Sequence, residues 1–61
     1  MKYLLCCMKK DTGSIIESYC KGNSLAEAKE DYTRKIKEAS EFKIKGTFKE
    51  NFEIVSKEIV V

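Results

Sequence analysis

Between Leu25 and Ala39 the apolar residues recur with helical spacing, and on either side they fall into the shorter periods of strands. Leu25, Ala28, Tyr32, Ile36 and Ala39 stand at i, i+3, i+7, i+11 and i+14, one narrow stripe on an otherwise polar segment. The spacing predicts a helix over residues 25–40. Ser24 and Glu27 have the separation of a capping box, the hydroxyl taking the Glu27 amide and the carboxylate reaching back to Ser24. Glu27, Glu30 and Asp31 precede Arg34, Lys35 and Lys37, an order that suits the helix dipole. Glu30–Arg34 and Asp31–Lys35 are i, i+4 pairs. One stripe means one contact face, so this helix is expected to lie on something flat.

The flanking segments supply a sheet. Lys2 to Lys9 is apolar on both sides, Leu4, Cys6 and Met8 alternating with Tyr3, Leu5 and Cys7, which is the pattern of a central strand. Asp11-Thr12-Gly13 suits a three-residue hairpin loop with Gly13 left-handed, and residues 14–21 follow as an antiparallel second strand. That loop sets Leu4 opposite Cys20 and Cys6 opposite Ser18. Leu4, Cys6, Met8, Ile16, Ser18 and Cys20 then share the face under the helix. Tyr3, Leu5, Cys7, Ile15, Glu17 and Tyr19 share the other.

Residues 42–49 also alternate, with Phe42, Ile44 and Phe48 inward and Lys43, Lys45, Thr47 and Lys49 outward, predicting a third strand. Residues 52–60 make a fourth whose phase changes near Ser56-Lys57-Glu58, the mark of a bulge. The order is β-β-α-β-β. The expected fold is α+β, a two-layer sandwich with one helix packed across an antiparallel sheet and the sheet's far face uncovered.

Sixty-one residues are enough for one small domain, residues 1–61, and a chain this short buries only about 60% of its unfolded surface. The net charge of +2 gives no strong field toward nucleic acid or membrane. No apolar run approaches the ~20 residues of a spanning helix. The opening Met1–Met8 run is followed by Lys9-Lys10-Asp11 where a signal peptide needs small residues, so it is read as structure. Cys6 and Cys7 are strand neighbours that point to opposite faces, Cys20 stands alone, and histidine is absent, so neither metal nor cofactor is expected. The cysteines read as small hydrophobes in a reducing cytoplasm. Redox or nucleophilic use of Cys7 or Cys20 would need an activating base that the sequence does not display.

Three surfaces are candidates for function. The uncovered patch of Tyr3, Leu5, Cys7, Ile15 and Tyr19 has the large aromatic and aliphatic area of a protein interface. The charged outer face of the helix, Glu30, Arg34 and Lys37, is a second contact surface. Lys43, Lys45 and Lys49 on one strand face form the alternative, a nucleic-acid contact strip. Asp11-Thr12-Gly13 is the tripeptide of aspartic proteases. That chemistry needs two such aspartates sharing a proton, and here the tripeptide falls where a turn is required anyway.

The opening Met1-Lys2-Tyr3 strand, the hairpin, and Gly22-Asn23-Ser24-Leu25-Ala26-Glu27-Ala28 resemble the partial RNase-fold domain of HicB-type antitoxins, over about half of the chain. The Pro/Gly-rich segment of those proteins and an appended DNA-binding region are missing, and no site residue carries over. The resemblance implies a protein that binds another protein. Of the twelve basic residues only Arg34 is arginine, a bias that with the Ile and Asn usage suggests AT-rich coding. The expectation is a cytoplasmic, non-enzymatic protein-binding module, working as a homodimer. As a phage or mobile-element regulator it would inhibit a host enzyme or defence protein by steric occlusion, or act as an antitoxin-like partner.

Overall fold

The computed structural model describes residues 1–39 and 43–60. Strand β1 (Lys2–Lys9) and strand β2 (Ile15–Lys21) lead into helix α1 (Leu25–Glu38), followed by a one-turn helix α2 (Phe48–Asn51) and strand β3 (Phe52–Val60). The strands form one antiparallel sheet in the order β2-β1-β3, with α1 as the main helix, so the fold is α+β. Among the described residues no helix is long and apolar enough to cross a membrane.

The first hairpin closes one residue earlier than its sequence suggests. Lys9 N–H donates to Ser14 C=O at 2.8 Å and Gly13 N–H to Lys9 C=O at 2.7 Å, which makes residues 10–13 the loop. Gly13 is left-handed as expected, with φ of 76°. The extra loop residue shifts the pairing by one, so Leu4 faces Tyr19, Leu5 faces Ser18 and Cys7 faces Ile16. Side chains alternate along a strand, so a one-residue slip turns the whole of β1 over relative to the expected register. Tyr3, Leu5 and Cys7 are therefore under the helix and buried, and Leu4, Cys6 and Met8 are on the open face. β2 keeps its expected sides, Cys20 inward and Ile15, Glu17 and Tyr19 outward.

The core joins Tyr3, Leu5, Cys7 and Cys20 of the sheet to Ala28, Tyr32 and Ile36 of α1, with Ile44 and Phe52 closing its far end. Tyr32 stands edge-on to Phe48 and Phe52 at centroid distances of 5.6 and 5.0 Å. Ser24 caps α1 by accepting Glu27 N–H at 3.3 Å. Ala39, expected to extend the stripe, is the exposed C-cap. Asp31 pairs with both Arg34 and Lys35, whereas Arg34 takes Asp31 and Glu38 in place of the expected Glu30.

The expected strand over 42–49 does not form within residues 43–49. Gly46 has φ of 88°, outside strand geometry, and Thr47 starts α2. The Glu50 carboxylate accepts from the Thr47 N–H at 3.1 Å and from its hydroxyl at 3.0 Å. Asn51 Nδ2 donates to the carbonyls of Lys45 and Thr47. This local capping chemistry overrides an alternation that imitates a strand. Ile44 is still buried and Phe48 packs against the core, so these two keep their expected inward sides within a different element. Phe42 and Ser40, expected in the third strand and at the helix end, lie outside the described residues.

β3 carries the expected irregularity. Cys6 faces Ser56 and Cys7 faces Ile54, which leaves Val55 unmatched. Phe52 and Ile54 belong to the helix side before the bulge, and Lys57 and Ile59 after it, opposite Leu5 and Tyr3.

Among the described residues α1 lies over β2 and β1 rather than over β3. Its side chains also close the outer edge of β2. Asp31 Oδ2 accepts Lys21 N–H at 2.9 Å, and Lys35 Nζ donates to Tyr19 C=O at 2.8 Å. An edge satisfied in this way is a poor template for another strand.

Candidate functional site

Two surfaces follow from this layout, one on each side of the sheet. The open face is built from the outward residues of three strands in register. From one end its rows are Lys21–Lys2–Val60, Tyr19–Leu4–Glu58, Glu17–Cys6–Ser56 and Ile15–Met8–Glu53. Leu4, Cys6 and Met8 run down the centre and are half-buried. Ile15 and Tyr19 beside them are 58% and 53% exposed. Among the described residues no second layer covers these side chains. Charge is unevenly placed: Lys2 and Lys21 hold one end, Glu53 the other, and Glu17 and Glu58 flank the middle. Lys2 Nζ lies 5.7 Å from the Tyr19 ring centroid, so this ring already has a cation on one flank.

The expected uncovered patch is present as a face, with different residues on it. Ile15 and Tyr19 are on it. Tyr3, Leu5 and Cys7 are core residues, and Leu4, Cys6 and Met8 take their places. Only the hairpin loop length decided this, and Asp-Thr-Gly is compatible with loops of either length.

The second surface is a groove of about 880 Å³ between α1 and the α2–β3 corner. It exists because α1 is set over β2 and β1. Leu25, Phe48, Phe52 and Ile54 form its apolar floor. Its walls carry Lys10, Lys29, Arg34, Lys37 and Lys49, with Glu30 the one acid among the described lining residues. Lys10 Nζ donates to the Lys49 carbonyl at 2.8 Å, and Lys29 Nζ sits 5.6 Å from the Phe48 ring centroid. The expected lysine strip is broken up: Lys43 and Lys45 are exposed on the loop before α2, and Lys49 turns into the groove. Glu30, Arg34 and Lys37, the expected outer face of the helix, line that same groove.

The turn aspartate has a structural task. Lys9 points under the helix side of the sheet and is buried, and its Nζ reaches both oxygens of Asp11 at 2.5 and 2.6 Å. The hydrogen bond from Lys9 holds the Asp11 carboxyl below the usual carboxylate range. Asp11-Thr12-Gly13 is thus a turn that neutralises a buried ammonium.

Cys7 and Cys20 are fully buried, and desolvation pushes both thiols up to about 11. Burial also raises the Tyr32 phenol, whose hydroxyl neighbours Cys7 and donates to the Ile16 carbonyl at 2.7 Å. Protonated, buried thiols are packing groups and poor nucleophiles. Among the described residues no cluster of His, Cys, Asp and Glu is arranged to hold a metal.

No family model matches the chain, and neither a curated protein nor a solved structure matches it at a significant level.

Proposed function

We propose that this chain is a small non-enzymatic protein-binding module that pairs with a second copy of itself through the open sheet face. As a pair it acts on another protein by covering that protein's site. The observation that carries the reading is the contiguous apolar surface of Leu4, Cys6, Met8, Ile15 and Tyr19 on a face that no second layer covers among the described residues. A central strand with apolar residues on both sides is normally covered on both.

The arrangement of charge favours a second copy as the occupant. With the strands antiparallel across a two-fold axis, the Lys2/Lys21 end of one chain meets the Glu53 end of the other. The Tyr19–Leu4 row of one chain then meets the Cys6 row of the other at the centre. A chain of 61 residues also gains much of its stability margin from such a partner. Binding a protein is also what the likeness to HicB-type antitoxins implies. Occlusion of a host enzyme or defence protein by a phage or mobile-element regulator is the biological form this reading takes.

Cys6 tests it directly, because it lies in the middle of the proposed contact. Alkylation of Cys6 in the native protein should slow several-fold as protein concentration rises through the dimerisation range. A Cys6 labelling rate that stays constant from low to high micromolar concentration would remove the open face as a self-association surface.

A further inference from the structure

We infer that the groove between α1 and the α2–β3 corner is a docking site for an acidic, apolar-anchored segment of a partner protein. The inference rests on the reading of the chain as a protein-binding module and names the chemistry of what it binds. The groove shares no residue with the open sheet face, so a pair formed through that face would present two grooves outward.

Charge is the first argument. Among the described residues the groove gathers five of the twelve basic and one of the nine acidic residues, in a protein whose net charge is only +2. Arg34 is already matched by Asp31 and Glu38. Lys10, Lys29, Lys37 and Lys49 have no carboxylate within ion-pair distance among the described residues. Two of these four are held in place without being neutralised, Lys10 by the Lys49 carbonyl and Lys29 by the Phe48 ring. Cations fixed around a concave surface attract and orient an anionic partner.

The floor is the second argument, and it separates a peptide from a nucleic acid. Leu25, Ile54 and the partly open Phe48 offer an apolar seat of the kind that takes aliphatic anchors of a peptide. A single-strand binder stacks successive bases on exposed aromatic faces. Here Phe52 is 2% exposed and the Phe48 ring is overlaid by Lys29, so the described residues of the groove offer no such platform. From Ala26 to Lys37 the helical wall is about 16 Å long. That accommodates about three turns of an amphipathic helix or about five extended residues.

The test is fluorescence anisotropy with the full chain and a labelled glutamate-rich peptide of about sixteen residues carrying leucine at every third or fourth position. Oligo-dT of similar length and the same peptide with glutamine for glutamate serve as the other probes. The expected result is micromolar binding of the acidic peptide, at least tenfold tighter than either other probe. Binding should weaken about tenfold or more in the double variant Lys37→Glu, Lys49→Glu, both exposed positions, with native folding of the variant verified by circular dichroism. Equal or tighter binding of oligo-dT, equal binding of the glutamine peptide, or no effect of the double variant would each overturn the proposal. Solution mass is read on the same samples. A monomer that still binds the peptide would remove the sheet-face reading alone, whereas an intact dimer that ignores the peptide removes the groove alone.

Discussion

The Tyr32 hydroxyl donates to the Ile16 carbonyl at 2.7 Å and ties the middle of α1 to the sheet. The same side chain is fully buried and stands edge-on to Phe48 and Phe52, so one residue couples the helix, the sheet and the α2 corner. Its hydrogen bond and its packing can be separated. Tyr32→Phe should cost about 1 kcal/mol, the net value of one such bond. Tyr32→Ala should cost about 3–5 kcal/mol, enough to unfold much of a domain this small. Urea midpoints of the two variants check this, and equal losses would mean that the ring packing is not what matters.

Asp31 is the acid on which the closed edge of β2 depends. Its carboxyl is held below the usual range, first by the Lys21 N–H it accepts and further by Arg34 and Lys35. A carboxyl with a lowered folded pKa contributes stability that is present above the ordinary value near 4 and is lost as pH falls through the folded value. Wild-type stability should therefore drop on acidification through that window. Asp31→Asn should start less stable at pH 7 and show a flatter acid limb, Asp11 and Glu50 supplying the remaining slope. Denaturation followed from pH 7 to pH 2 reads both.

The buried thiols act at the other end of the scale. Cys7 and Cys20 are raised from about 9 to about 11 by burial, so between those values the unfolded chain loses protons that the folded chain keeps. Stability is unaffected by these groups below pH 9 and falls as pH rises toward 11. The Cys7→Ala, Cys20→Ala variant should be less stable at pH 7, because it leaves cavities, yet lose less between pH 9 and 11. At neutral pH, Cys6 should react with iodoacetamide far faster than either buried thiol in dilute protein.

Gly22 sits where β2 turns into α1, and a Cβ there would come within 2.7 Å of the Ala28 nitrogen and the Glu27 Cβ. The backbone cannot yield without moving the first turn of α1. Gly22→Ala should cost about 1–3 kcal/mol, whereas Gly13→Ala meets no atom and is charged only for its left-handed backbone. Thermal melts of the pair distinguish close packing from backbone strain.

How much of this was legible beforehand can be argued from three residues. Tyr32 was readable, because a stripe at i, i+4, i+8 on a polar helix has one physical meaning. Tyr3 was not: its face depends on whether the hairpin loop spans three or four residues, a choice that local propensity leaves nearly balanced while every β1 side chain turns on it. Phe48 is legible in the sequence as a core-facing residue, but not as a helical one. Alternation around it imitates a strand, while the signal that decides the matter is Thr47 and Glu50 at capping-box spacing after Gly46. The groove could not have been read at all. It arises from where α1 sits across the sheet, and no single segment encodes that.

The central claim is that the open sheet face is a contact surface between two copies, and sedimentation equilibrium tests it most directly. The wild-type chain should approach twice its 7.0 kDa mass at high micromolar concentration. Ile15→Lys, Tyr19→Lys, with both changes at exposed positions, should remain folded by circular dichroism and sediment at the single-chain mass. A wild-type protein that stays at 7.0 kDa throughout, or a double variant that dimerises as well as the wild type, would contradict the account.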